Sequence, residues 1–212
     1  MALAVGAAAT TAFGQSEGEL SPRERLRQRY QRGRESSSDL SEPTRKIGSD
    51  NPEDRLEAVR TLATSDDPKA VSYLLGAVSD PDMRVRIKAI DELGNRTTKE
   101  ATLVLVQLLF LRETEPVLQQ RALAALGKIA DPRSTQPICE FLARDLDPST
   151  RGTAIFALGE IGDESALDVL AKLAANGDDP IARRLADEAG LKIKHRVPPP
   201  IELPVLTEDR ER

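Results

Sequence analysis

The stretch that decides the fold is D-P-S-T-R-G-T-A-I-F-A-L-G, residues 147–159. An Asp before a Pro predicts a helix start, because the carboxylate caps free backbone N–H groups and Pro fits the first helical position. Ala154, one turn before Leu158, is a small residue that lets a second helix pack closely. We expect Gly159 to end the helix, because glycine readily adopts a left-handed conformation.

The same pattern recurs in register along the chain. Its copies begin at Asn51, Asp80, Glu115 and Asp147, and a shorter fifth begins at Asp179. The anchor pairs, which recur at intervals of 31, 33 and 32 residues, are Leu62-Ala63, Leu93-Gly94, Leu126-Gly127 and Leu158-Gly159. Intervals of this size are typical of stacked structural repeats.

A short turn and a second apolar segment follow each of the first four copies. The predicted starts of these second helices include Asp67-Pro68, Asp131-Pro132 and Asp163. Each unit is therefore a helical hairpin, whose apolar face only a neighbouring hairpin can cover. The sequence predicts an all-α fold at residues 49–193, a right-handed α-solenoid of four hairpins and a partial fifth.

The run from Asp147 to Leu170 resembles a HEAT repeat of the short bacterial type, the kind also found in phycobilisome lyases. The resemblance extends over residues 49–191 and implies a stack whose second helices line the concave side. It implies a non-catalytic scaffold or adaptor that binds another protein there. The alignment gives these groove-facing candidates for partner contact: Tyr73, Leu103, Val104, Gln107, Gln136, Glu140, Asp168 and Lys172.

The resemblance also implies that recurrent charged residues bridge neighbouring hairpins and set the angle between them. These residues are Asp67, Asp131 and Asp163 in the turns, and Arg86, Arg151 and Arg183 on the next first helix. A second functional candidate is a lyase or chaperone-like subunit that acts on a modified protein, similar to the phycobilisome relatives.

One second helix, T-L-V-L-V-Q-L-L-F-L-R at residues 102–112, is apolar on nearly every side. It is too short to span a membrane, which takes roughly 20 residues. The alignment places Leu105 and Val106 in the core and Leu103 and Val104 on the groove. Three interpretations stay open: a fully buried central helix, a docking patch for a partner, and a surface covered by the chain's own Pro-rich tail.

That tail, residues 194–212, contains R-V-P-P-P-I-E-L-P-V-L, an extended segment with apolar positions. Its prolines favour a polyproline helix. It could fold back into the groove or bind something else, and the alternative is a disordered terminus.

The first fourteen residues are small and apolar, and A-F-G at residues 12–14 has the form of a signal-peptidase site. The segment predicts a signal peptide cleaved before Gln15, although the Lys/Arg region that normally opens one is missing. The predicted location is outside the inner membrane, in the periplasm. The alternatives are an Ala-rich disordered terminus and a cytoplasmic protein.

Residues 15–48 form an Arg-rich arm and a flexible linker. The segment from Ser21 to Glu35 has six arginines, Arg23 to Arg34, against two glutamates, a net charge of +4, so the rest of the chain carries -9. The arm predicts an anionic partner such as acidic lipid, nucleic acid or an acidic protein. The alternative is a solvated spacer. The overall charge of -5 argues against a general nucleic-acid binder.

The sequence offers little for catalysis. Cys139 and His195 are the only residues of their types, which excludes an internal disulfide and the usual His/Cys zinc ligand sets. Phosphate-binding loops, nucleophile elbows and zinc-protease motifs are missing from the sequence. We therefore predict no catalytic, cofactor-binding or metal-binding residues, and we expect Cys139 to be a small core residue.

Overall fold

The computed structural model describes Ser21, Arg23 and residues 40–112, 114–176 and 179–196. The chain divides into two units, residues 1–39 and residues 40–212, and the helices described below belong to the second. The predicted signal peptide, most of the arm and nearly all of the Pro-rich tail lie outside the described residues.

The described part of the second unit is helical, as the sequence predicts. The helices are α1 Ser41–Ile47, α2 Pro52–Thr64, α3 Lys69–Ala77, α4 Met83–Asn95, α5 Thr102–Phe110, α6 Pro116–Ile129, α7 Thr135–Leu142, α8 Pro148–Ile161, α9 Leu167–Asn176 and α10 Pro180–Arg196. Single 3-10 turns precede α5, α7 and α9. The hairpins α2–α3, α4–α5, α6–α7 and α8–α9 stack in order, and α10 is half of a fifth. This confirms the all-α solenoid.

The first helices of the hairpins, α2, α4, α6, α8 and α10, form one row, and the second helices, α3, α5, α7 and α9, form another. The apolar core lies between the rows. Ala58, Ala89, Ala122 and Ala154, the small residues of the repeat, are fully buried in it. The helix α1 packs on α2, although the sequence assigns residues 41–47 to the flexible linker.

Capping explains most first-row helix starts. The side chains of Asn51 and Asp147 accept hydrogen bonds from backbone N–H groups in the first turns of α2 and α8, as predicted. The prediction that Asp80-Pro81 starts the second copy is wrong, because α4 begins at Met83 and Asp82 is its cap. The Asp80 carboxylate instead accepts two hydrogen bonds from the Arg55 guanidinium, at 2.8 and 2.9 Å, and so joins the first two hairpins.

The glycines of the anchor pairs do not end the first helices, so that prediction is also wrong. The helix α4 continues through Gly94 to Asn95. A Cβ added to Gly94 would lie 2.9 Å from both Cα and Cβ of Ala125 on α6. The same close approach joins Gly127 to Ala157 and Gly159 to Ala189. The repeat needs glycine here because two helix backbones meet at this position.

These contacts give the two rows different spacings. Neighbouring first-row helices touch along their lengths, whereas second-row helices meet at few points. Glycine–alanine contacts draw the first-row backbones together. That the second helices line the concave side stays a prediction.

Some of the predicted bridges between hairpins are present. The Asp131 carboxylate accepts a hydrogen bond from the Thr102 hydroxyl of the preceding hairpin at 3.0 Å. Arg86 reaches Glu115 of the next hairpin at 3.3 Å.

The outer side of α10 departs from the repeat. Leu191 occupies the register position at which earlier first-row helices have Gly94, Gly127 and Gly159. Its side chain is 48% exposed, and the neighbouring Asp187 and Lys194 are exposed as well.

Candidate partner-binding surfaces

The apolar stretch at residues 102–112 contributes to both the core and the surface. Leu105 and Leu109 are fully buried, and Leu108 is nearly so, whereas Val106, expected in the core, is only partly buried. Leu103 is 59% exposed, and Phe110 and Leu111 are also exposed near the end of α5. The interpretation as a fully buried central helix is therefore wrong, and an apolar surface remains.

Most of the predicted contact residues lie on one outward face of the second row, called here the outer strip. Its members, all exposed and on α5, α7 and α9, are Leu103, Gln107, Gln136, Glu140, Asp168 and Lys172. Tyr73 and Val104 differ, because both are half-buried and pack against the core. The outer strip is largely polar, with Leu103 as its main apolar side chain. Its role in partner binding stays a prediction.

A more apolar surface lies on the first row, between α8 and α10. A hollow of about 480 Å³ there is lined by Pro148, Ser149, Gly152, Thr153, Phe156, Asp179, Ile181 and Leu185. Phe156 is 57% exposed and Ile181 is 65% exposed. A second hollow, of about 120 Å³, shares Phe156 and Leu185 and extends to Lys192. Together the two hollows form a continuous α8–α10 groove.

Glycines help to shape this groove. A Cβ added to Gly152 would lie 3.3 Å from Leu185 Cδ1, so glycine leaves room for that leucine to approach α8. The Gly159–Ala189 contact holds α8 and α10 close at the other end. The floor is therefore apolar and shallow, which suits an extended or helical segment better than a small molecule.

Charged side chains lie near the end of α10. Lys192 forms an ion pair with Glu160 of α8, and its Nζ lies 5.8 Å from the centroid of the Phe156 ring. Arg196 Nη1 donates a hydrogen bond to the Glu160 carbonyl oxygen at 2.6 Å. The end of α10 is thus fixed against the end of α8, beside the α8–α10 groove.

Phe156 and Ile181 were not among the predicted contact residues, although the sequence contains a signal for Phe156. At the position of Phe156 the first two copies have the charged residues Arg60 and Asp91, and the third has the small residue Ala124. An apolar residue at a position that is charged in sister repeats indicates a surface that differs in function from theirs.

A third hollow, of about 600 Å³, lies where the second and third hairpins meet. Its lining includes Arg86, Arg112, Glu115, Leu108 and Leu111. Within it the ion pair of Arg86 and Glu115 leaves Arg86 Nε and Glu115 Oε2 buried and without hydrogen-bond partners. The Arg86–Glu115 contact therefore makes fewer hydrogen bonds than the Arg55–Asp80 contact.

The perturbed side chains of the described residues have structural explanations. Cys139 is buried, and burial raises the pKa of its thiol, which disfavours a nucleophilic thiolate. The most depressed carboxyl pKa is structural: hydrogen bonds from Arg133 lower the pKa of Asp131 to about 2. Across residues 40–112, 114–176 and 179–196, His, Cys, Asp and Glu side chains form no cluster that could hold a metal ion. None of the helices in these ranges is long and apolar enough to cross a membrane.

The match to a protein-family model agrees with this fold. The family of HEAT repeats matches residues 44–110 and 103–189, which together cover well over half of the chain. No curated protein matches the sequence. One similar solved structure is the crystal structure of an engineered protein from the Northeast Structural Genomics Consortium. It is 23% identical, with a TM-score of 0.49 over 76% of this chain and 90% of that chain.

Proposed function

The chain belongs to the HEAT-repeat family, and we propose that it is a non-catalytic scaffold that binds another protein through the exposed face of its first row. HEAT repeats generally serve in protein interaction, which supports the general role. We further assign the binding face to the first row and the binding site to the α8–α10 groove.

The observation that carries the proposal is the exposure of Phe156 and Ile181 over the α8–α10 groove. Soluble proteins rarely leave contiguous apolar surface open to water unless a partner covers it. Aromatic side chains are also enriched among the residues that dominate binding energy.

The first-row helices before α8 carry ion pairs on the same face. Arg84 pairs with Glu53 at 2.6 Å, and Arg121 approaches Asp91 at 3.5 Å. These exposed pairs link successive first-row helices, so their charges are already partnered within the chain. An apolar partner segment therefore has its best complement at α8 and α10, where exposed Phe156 and Ile181 replace such charges.

The outer strip offers a second candidate surface, because Leu103 is as exposed as Phe156 and stands near Phe110 and Leu111. Its neighbours on α7 and α9 are polar, so a partner there would make mixed contacts.

Two matched variants separate the faces. Phe156→Glu and Leu103→Glu each place a charge on a side chain that is more than half exposed, one on each face. Both should keep the wild-type circular dichroism spectrum and melting temperature. The measurement is crosslinked affinity capture from the source cells with wild type and each variant, read by quantitative mass spectrometry.

We expect one protein to be captured by wild type and Leu103→Glu but lost with Phe156→Glu. Loss with Leu103→Glu alone would transfer the binding site to the outer strip. Equal capture by all three baits would refute both surfaces.

A further inference from the structure

We infer that the chain forms a two-fold dimer, in which the outward face of α10 packs antiparallel against the same face of a second copy. The outward face is the side of α10 that carries Asp187, Leu191 and Lys194, all exposed. These residues do not line the two hollows of the α8–α10 groove. The inference therefore goes beyond the proposed function and does not depend on it.

The register of the repeat shows where this face points. Gly127 and Gly159 lie against Ala157 and Ala189, in each case on the next first-row helix. Leu191 has the same register position on α10, so it faces the place that a next first-row helix would occupy. Its side chain is 48% exposed, so the described residues leave this place open.

The outward face of α10 also differs in chemistry from the faces that join the hairpins. The register position of Asp187 is apolar and fully buried on the four earlier first-row helices, as Val59, Ile90, Leu123 and Ile155. A polar face at the end of a stack keeps repeat proteins soluble. Here, however, an exposed leucine lies between two charges of opposite sign, and this pattern matches itself.

The charges fit a second copy in the antiparallel orientation. Asp187 precedes Leu191 by four residues and Lys194 follows it by three, nearly two full turns apart, so both lie on one side of α10. When two copies pair about Leu191, Asp187 of each chain comes opposite Lys194 of the other. Glu188 and His195 have the same spacing on the other side of Leu191 and come opposite each other in the same way.

The same charges disfavour the other possible outcomes. Within one chain, Asp187 and Lys194 are about 10 Å apart along the axis at a rise of about 1.5 Å per residue, too far for an ion pair. A parallel pair of α10 helices would place Asp187 beside Glu188 of the other copy, so that carboxylates would meet. The antiparallel pair is therefore the one in which both sides are complementary.

Leu191 determines the spacing of the pair. Glycine lets two first-row backbones meet directly, whereas Leu191 keeps a neighbouring helix at a greater distance. Ordinary helix pairs have axes about 8–10 Å apart, which leaves room for one leucine from each chain at the centre. Each chain contributes one helix to this contact, so the interface is small and the dimer should be weak and reversible. A two-fold contact of this kind uses the face once and closes.

Sedimentation equilibrium of the full-length chain tests the inference, at concentrations from about 10 μM to about 1 mM, the range in which a small interface associates. We expect a monomer–dimer equilibrium without larger species. Lys194→Glu and Asp187→Lys each bring like charges together, and each should raise the dissociation constant at least about tenfold. Both side chains are exposed, so both variants should keep the wild-type circular dichroism spectrum and melting temperature.

A mixture of the two variants distinguishes this pairing from any other explanation. In a mixed dimer, the lysine of Asp187→Lys lies opposite the glutamate of Lys194→Glu, and the remaining Lys194 lies opposite the remaining Asp187. The equimolar mixture should therefore dimerise with about the wild-type dissociation constant. Lys172→Glu makes the same chemical change on the exposed outer strip and should leave the wild-type dimer unchanged.

Four results would overturn the inference: a wild type that stays monomeric over the whole range, a dimer that persists in either single variant, a mixture that does not associate, or species larger than a dimer. None of these measurements involves the α8–α10 groove. A failed capture experiment would therefore count against the proposed function alone.

Discussion

Replacing Gly94 with alanine should destabilise the protein, although alanine is the better helix former. The residue lies inside α4, and an added Cβ would be 2.9 Å from Ala125 Cα and Cβ. The helices would have to move apart, because the obstructing atoms belong to or adjoin the backbone and cannot rotate away.

Two opposing effects set the size of the change. Alanine in place of glycine in a helix interior stabilises by about 1 kcal/mol. Overpacking a tight contact costs about 1–3 kcal/mol. The contact is closer than ordinary van der Waals distance, so the cost should lie at the upper end, and the net destabilisation should be about 1–2 kcal/mol.

Gly76 provides a matched control on the same stack. It lies within α3, and a Cβ added to it would meet nothing within 4 Å. Gly76→Ala should therefore stabilise the protein by about 0.5–1 kcal/mol. The two identical chemical changes should differ in sign, by about 1.5–3 kcal/mol in total.

Urea unfolding followed by circular dichroism measures both free energies. Both variants should keep the wild-type dependence of the free energy on urea, so that shifts in midpoint report stability. If Gly94→Ala proves as stabilising as Gly76→Ala, the first row is not spaced by backbone contact.

Further predictions concern α5, Asp131 and the end of α6. Leu105→Ala should cost about 2–5 kcal/mol because the side chain is fully buried, whereas Leu103→Ala should change stability by less than about 0.5 kcal/mol; urea unfolding measures both. Hydrogen bonds from Arg133 lower the pKa of Asp131 to about 2, so its stabilising contribution should be complete above its ordinary pKa near 4 and fade as the pH falls toward 2. Unfolding measured at a series of pH values should show this loss in wild type, and Asp131→Asn should remove it; an unchanged pH profile in the variant would contradict the assignment. Ala130 has a left-handed φ of 52°, so Ala130→Gly should raise stability by about 0.5–1 kcal/mol, read from the same urea midpoint.

Much of the fold could be predicted because each hairpin repeats the same local signals. Asn51 and Asp147 cap their helices as expected. The wrong predictions concern residues that the local pattern assigns to helix starts or helix ends but that make tertiary contacts instead. Asp80 pairs with Arg55, and Gly94 meets Ala125, and both contacts join residues at least 25 positions apart.

The candidate site was harder to predict, because the α8–α10 groove forms between two repeats. The shape of this groove follows from the spacing of two helix backbones, which the sequence of a single repeat does not specify. The alignment identified the exposed positions of the second row but not the α8–α10 groove. The export, anionic-partner and lyase-like interpretations stay predictions.

Leu191 affects whether further helical hairpins could be added to the stack. Each repeat presents a surface on which another repeat can pack, so a stack of this kind can in principle be extended by adding units at its end. Leu191 stands at the register position that Gly159 has on α8, so its side chain fills the space that a further helix would need at the close spacing of the repeats. The exposed Asp187 and Lys194 keep this side of α10 in contact with water in the single chain. We therefore expect Leu191 to hinder elongation of the stack by other copies. An engineer who wished to lengthen it would first have to restore glycine at that position.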